Sequence, residues 1–113
     1  MELELFLKTR GKEYRANAVF KDGVMVVKKG SLVNTKLADH IRGGKKAKSY
    51  LEDRQYVDSN GVVLKDCVFR SPSTAAQFVT GNSTNGNLAW KTKDGIKLKD
   101  ILREESSKTN NDN

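Results

Sequence analysis

The side chains able to do covalent or acid–base chemistry are few and scattered. The chain holds one cysteine, Cys67, and one histidine, His40. A thiol nucleophile needs a neighbouring base, and that base needs a third group to orient it. Cys67 lies instead between Asp66 and the apolar pair Val68-Phe69, a context for a buried, inert thiol. His40 sits in a polar stretch where an imidazole is solvated. Asp22, Asp53, Asp58, Asp66 and Asp94 fall at turn positions, where a carboxylate hydrogen-bonds its own backbone. One cysteine and one histidine can form neither an intramolecular disulfide nor a protein-only zinc tetrad. The glycines match neither the Walker spacing nor GxGxxG. No catalytic residue, metal or cofactor is expected, and a hydrolase built on Cys67 and His40 lacks its orienting partner and oxyanion device.

The cations tell more. Arg42, Lys45, Lys46 and Lys48 form a cluster with no acid inside it. Gly43-Gly44 lets a ligand approach the backbone closely, and a following helix start offers free N–H groups to an anion. Lys8, Arg10, Lys12 and Arg15 make a second group, and Lys28-Lys29 a third. Across 113 residues, 21 Lys and Arg face 14 Asp and Glu, for a net +7. Without residues 104–113 the body keeps 20 basic and 11 acidic residues, or +9. Such a balance favours a polyanion, with nucleic acid first, although charge alone also serves solubility. No apolar run approaches the ~20 residues of a membrane span. Met1 is followed by Glu2 and Glu4, not by a basic, apolar signal segment. A cytoplasmic address is the expectation.

The elements that must position these cations follow from periodicity. Leu3, Leu5 and Leu7 alternate with polar residues, and Phe6 makes the second face of that strand partly apolar. Ala16, Ala18 and Phe20 alternate again over 15–20. Asp22-Gly23 signals a hairpin whose partner strand is Val24 to Lys28. Ala47, Tyr50, Leu51 and Arg54 recur at helical spacing, which predicts a short amphipathic helix with a basic first turn. Val62-Val63-Leu64 and Cys67-Val68-Phe69 read as short extended pieces. Ser71 is an N-cap and Pro72 a first helical residue, for a helix ending near Gly81. Leu88-Ala89-Trp90 and Ile96-Lys97-Leu98 read as paired strands around Asp94-Gly95. Ile101 and Leu102 close with a helical turn.

The string Phe69-Arg70-Ser71-Pro72-Ser73-Thr74-Ala75-Ala76, continuing through Val79, Gly81, Ser83, Asn85-Gly86 and Trp90, resembles a known pattern. It is that of a small domain of unknown function found C-terminal to GIY-YIG nuclease-type proteins and in restriction-modification proteins. It is also similar to the RAMA (restriction enzyme adenine methylase associated) domain, for which recognition of modified DNA is proposed. Asp22-Gly23-Val24 and Val27-Lys28-Lys29-Gly30-Ser31 match a second segment of that family. The likeness covers most of residues 5–102. Asn87 departs from it, standing where the family usually carries an aromatic, and no Gly-Ile-Tyr or Tyr-Ile-Gly element is present.

The residues and the resemblance together predict an α+β domain over 1–103, a mainly antiparallel sheet with two or three short helices packed on one side. A disordered polar tail is expected over 104–113. The function expected is a non-enzymatic, monomeric DNA-binding accessory of a restriction or nuclease system. Its contact set is Arg42, Lys45, Lys46, Lys48, Arg70, Ser71, Ser73, Asn85, Trp90 and Lys91. Lysines and arginines would hold phosphates of duplex DNA, and Asn85 and Trp90 would read a base, plain or modified. The partner would be a nuclease or methylase. The alternative is a docking module for such a catalytic subunit without nucleic-acid contact, using an apolar patch around Val33, Leu37 and Ile41.

Overall fold

Apolar side chains recurring at every second position set up the first half of the structure, a computed structural model that describes residues 2–11, 13–37 and 44–111. Strand β1 (Glu2–Lys8) pairs antiparallel with β2 (Arg15–Lys21), from Glu2 opposite Lys21 to Lys8 opposite Arg15. Asp22 and Gly23 both take positive φ, 53° and 80°, the backbone that a tight hairpin turn demands. Strand β3 (Val24–Val27) returns along β2, and β4 (Cys67–Phe69) completes an antiparallel sheet in the order β1-β2-β3-β4. The three strands expected in the first 30 residues are therefore present.

Alternation gives the sheet two unlike faces. Leu5, Leu7, Ala18, Met25, Val27, Cys67 and Phe69 point inward and are buried. Helix α1 (Gly44–Glu52) adds Ala47 and Leu51 to that core. Helix α2 (Pro72–Thr80) adds Ala75, Ala76, Phe78 and Val79 and packs across β2, β3 and β4. Tyr50, Tyr56, Phe69 and Phe78 join as tilted or edge-on ring pairs with centroids 5.0–6.0 Å apart. The other face, with Glu4, Phe6, Asn17, Val19 and Val26, carries no helix among the described residues.

Helix α2 has both ends the sequence predicts. Ser71 Oγ accepts the Thr74 N–H at 3.1 Å. Gly81 adopts φ 76° and donates its N–H to Gln77 O at 2.8 Å. The loop before α1 docks on this end, where the Asn34 N–H bonds Val79 O and Asn34 Nδ2 bonds Thr80 O.

The second half differs from expectation in three places. Leu88-Ala89-Trp90 is not a strand: Gly86–Ala89 forms a short helix, α3, whose N-cap Asn85 accepts the Asn87 N–H at 3.0 Å. Local capping outweighs the β propensity of so short a segment. The Asp94-Gly95 turn forms, with Thr92 N–H on Ile96 O at 2.8 Å, but it carries only a single bridge, Lys91 to Lys97. Val62 and Val63 likewise make isolated bridges rather than a strand. Helix α4 (Leu98–Asn111) continues well past Arg103, where a disordered tail from Glu104 is predicted. Leu98 is buried and Leu102 packs on the core, and once a first turn is anchored each further residue propagates a helix cheaply. Among the described residues, four helices thus accompany the sheet. Among the described residues none is long and apolar enough to cross a membrane.

One exposed ion pair ties β3 to the approach of β4. Lys28 Nζ lies 2.7 Å from Asp66 Oδ2, and Asp66 Oδ1 accepts the Lys29 N–H at 2.9 Å. Asp66 therefore serves this tie and not its own turn. The Lys28 hydrogen bond, helped by the Lys29 N–H, holds its carboxyl below the ordinary 3.8. A carboxyl with a lowered folded pKa stabilises above its unfolded value and loses that contribution as pH falls through the folded one. Asp66→Asn is expected to cost about 0.5 kcal/mol at pH 7, as for an exposed pair. In urea titrations the difference between parent and variant should shrink below pH 3.8 and vanish in stronger acid.

Candidate nucleic-acid interface

Helix α1 and strand β4 bring three of the predicted cations together. Tyr50 of α1 fits its hydroxyl to the free edge of β4, accepting the Val68 N–H at 3.0 Å and donating to Val68 O at 3.4 Å. Lys46, one turn earlier, rides 5.4 Å above the Tyr50 ring, a cation–π contact that orients the ammonium. Lys45, Lys46, Val68, Phe69, Arg70 and Thr74 line an open cleft of about 590 Å³. No carboxylate lines it. Lys48 turns away, 4.0 Å from Glu52, both side chains about two-thirds exposed. Lys48 therefore shares its charge with an acid on its own helix. Arg42, with His40 and Ile41, lies outside the described residues.

The Ser-Pro-Ser and Asn-Gly motifs form one structural clasp. Ser73 Oγ accepts the Gly86 N–H at 3.0 Å, and Trp90 Nε1 donates to Pro72 O at 3.0 Å. Gly86 presses so closely on Pro72 and Ser73 that a Cβ there would fall inside the Pro72 carbonyl. Trp90 is 0% exposed, so the expected stacking on a base is corrected: the indole is a core anchor. Ser71 and Ser73 spend their hydroxyls on the N-cap and the clasp. These bonds, with Pro72 lacking an N–H, occupy the Thr74 and Ala75 N–H groups at the start of α2. Asn85 is exposed but commits Oδ1 to the Asn87 N–H. Lys91 is exposed beyond β1, past the opposite edge of the sheet from Arg70, about 19 Å away at four strand spacings. The predicted set therefore does not converge on one site.

A second basic surface appears that sequence reasoning located only in pieces. Phe6 exchanges backbone hydrogen bonds with Lys91, at 2.7 and 3.0 Å, which brings Lys91 beside β1. Lys8 stands directly opposite Arg15. Lys29 lines a cavity with both, while Lys28 is engaged by Asp66. Phe6 and Lys97 were not singled out as site residues. The signal for Phe6 was its break in the alternation of β1; Lys97 gave none, since only the 91–97 bridge brings it near. Asn17 faces Phe6 across the pair, and its Oδ1 is buried with no partner among the described residues, a cost of about 1–3 kcal/mol.

The docking alternative placed an apolar patch around Val33, Leu37 and Ile41. Val33 is buried, Leu37 packs on the core and Ile41 is outside the described residues. Both sheet edges are also occupied at their centres, β4 by the Tyr50 hydroxyl and β1 by Lys91, which blocks strand addition there.

Cys67 behaves as a structural thiol. It is buried and donates to Lys65 O at 3.3 Å. Burial, reinforced by Asp66, pushes its thiol up to about 12. Folded protein is expected to resist a thiol-specific disulfide reagent at pH 8 and to react fully in denaturant; fast reaction in the folded state would refute this assignment. Gly86→Ala is expected to destabilise by about 3 kcal/mol, since backbone on both sides of the clasp cannot yield. Chemical denaturation measures that loss directly.

The family comparison bears on the same segment. The family described as Domain of unknown function (DUF4357) matches residues 6–102, a span that runs from the last three residues of β1 to the first five of α4. No curated protein and no solved structure matches the sequence. With the matched span covering most of the chain and the clasp lying within it, the chain belongs to the DUF4357 family.

Proposed function

We propose that this domain is a non-enzymatic DNA-binding module that serves a nuclease or methylase. The observation carrying the reading is the acid-free cleft where Lys45 and Lys46 of α1 meet Arg70 behind β4. None of these three takes part in an ion pair among the described residues. Their charge is thus available to phosphates, each neutralisation releasing condensed counterions. The inert Cys67 supports a role without covalent chemistry. The likeness to domains accompanying GIY-YIG nucleases and to the RAMA domain supplies the restriction-system context. Base reading, if the module performs it, falls to Asn85, because Trp90 is buried.

Fluorescence anisotropy with duplex DNA, plain and containing N6-methyladenine, tests this across a salt series. Three phosphate contacts give a slope of about −2.7 in log K against log salt, and further surface cations steepen it. Replacing Lys45, Lys46 and Arg70 together by Gln is expected to remove two to three units of slope, at roughly 0.9 per contact. A preference for the methylated duplex that Asn85→Ala abolishes assigns base reading to Asn85. Equal binding of both duplexes confines the module to the backbone. Absence of binding at low salt, or unchanged affinity in the triple variant, overturns the proposal in favour of docking to a catalytic subunit.

A further inference from the structure

On the helix-free face of the sheet, pairing sets Lys97, Lys91, Phe6 and Asn17 in one row. Residues directly opposite in antiparallel pairs project to the same side, about 5 Å apart. The next row, about 7 Å along the strands, holds Lys8 opposite Arg15. Phe6 is half-buried yet is not among the apolar residues packed on the core, and it has no aromatic neighbour among the described residues. Two open cavities of about 570 and 360 Å³ are both lined by Phe6 and Lys8, so there is room beside the ring.

The charges around Phe6 are unbalanced. Among the described residues, ion pairs join Lys28 to Asp66 and Lys48 to Glu52; Lys8, Arg15, Lys91 and Lys97 take part in neither. Glu4 is the one acid lining either cavity. Like charges directly opposite in a sheet repel, so Lys8 and Arg15 destabilise the free protein and an anion between them relieves it. Asn17, beside Phe6, holds an amide oxygen without a partner among the described residues.

We propose that this face binds unpaired nucleotides, a base stacking on Phe6 while Lys91 and Lys97 on one side and Lys8 and Arg15 on the other hold phosphates. The aromatic ring decides the ligand class. Bases inside a duplex have both faces covered by neighbours, whereas an unpaired base presents a free π-face to a protein aromatic. Cations around an aromatic with an open flank are the combination used for single strands. The site shares no residue with the α1–β4 cleft, so it stands or falls separately from the duplex reading.

Anisotropy of the full chain with a short labelled oligo-dT single strand, with inorganic polyphosphate as competitor, is the test. Phe6→Leu is expected to weaken oligo-dT at least about fivefold, as loss of one stacked base does, and to leave polyphosphate competition unchanged. Phe6→Trp should restore binding. Replacing Lys91 and Lys97 by Gln should lower the salt slope by about 1.4, at roughly 0.7 per single-strand contact. Lys8→Glu should raise the thermal midpoint while weakening binding, a pairing of effects that a merely structural lysine does not produce. The Lys45/Lys46/Arg70 variant should retain oligo-dT affinity. Equal oligo-dT affinity in Phe6→Leu, or oligo-dT no tighter than polyphosphate of matched charge, overturns the proposal. Should Phe6→Leu misfold, as far-UV circular dichroism would reveal, the Lys91/Lys97 and Lys8→Glu variants decide the question.

Discussion

The clasp at the start of α2 is the constraint on which the other features depend. Burying an indole removes some 150–250 Å² from water, worth about 4–6 kcal/mol at most. The hydrogen bond from Trp90 Nε1 to Pro72 O adds only about 1 kcal/mol net, but it fixes which way the indole faces. Burial therefore supplies the energy and the hydrogen bond the orientation. Gly86, flat against Pro72, allows α3 to approach that closely. With Trp90 held, Lys91 has one place to go, beside Phe6 on β1. With Ser71 held as N-cap, Arg70 is delivered to the mouth of the α1–β4 cleft. Both basic surfaces hang from one piece of apolar packing.

Charge on this domain is sorted rather than spread. Lys28 and Lys48 have carboxylate partners, while among the described residues Lys45, Lys46 and Arg70 on one side and Lys8, Arg15 and Lys91 on the other have none. Surface ion pairs contribute little to stability, so the sorting matters less for the fold than for where a polyanion meets free charge. The two surfaces also differ in chemistry. Beside the cleft, the Tyr50 ring is used up beneath Lys46 and against Phe69 and Phe78. On the far side of the sheet, Phe6 is left with an open flank. The first is a charge site and the second couples charge to an aromatic.

The strands of the amino-terminal half were legible because a period of two, closed by Asp22-Gly23, admits little else. The α2 helix was legible from Ser71, Pro72 and Gly81, each a local stereochemical signal. Leu88 to Trp90 misled because three apolar residues do not declare a period, and the Asn85 cap that decides for helix is indistinguishable in sequence from a turn asparagine. The run after Arg103 misled through composition: Ser, Asn and Thr are poor helix formers, but the packed Leu98 and Leu102 supply the nucleus that composition does not register.

The roles of Ser71, Ser73 and Trp90 show the same division for function. Their types admitted both DNA contact and architecture; Ser71 caps a helix three residues on, while Ser73 and Trp90 find their partners 13 and 18 residues away in the chain. Sequence alone determined the net charge, the acid-free run of lysines, the Asp22-Gly23 hairpin and the α2 helix between Ser71 and Gly81, because these are properties of neighbours along the chain. Tertiary structure alone decided which cations share a face, that Trp90 is inside, and that Lys91 and Lys97 flank Phe6. Those facts depend on strand pairing and close packing between distant segments, which no local signal encodes.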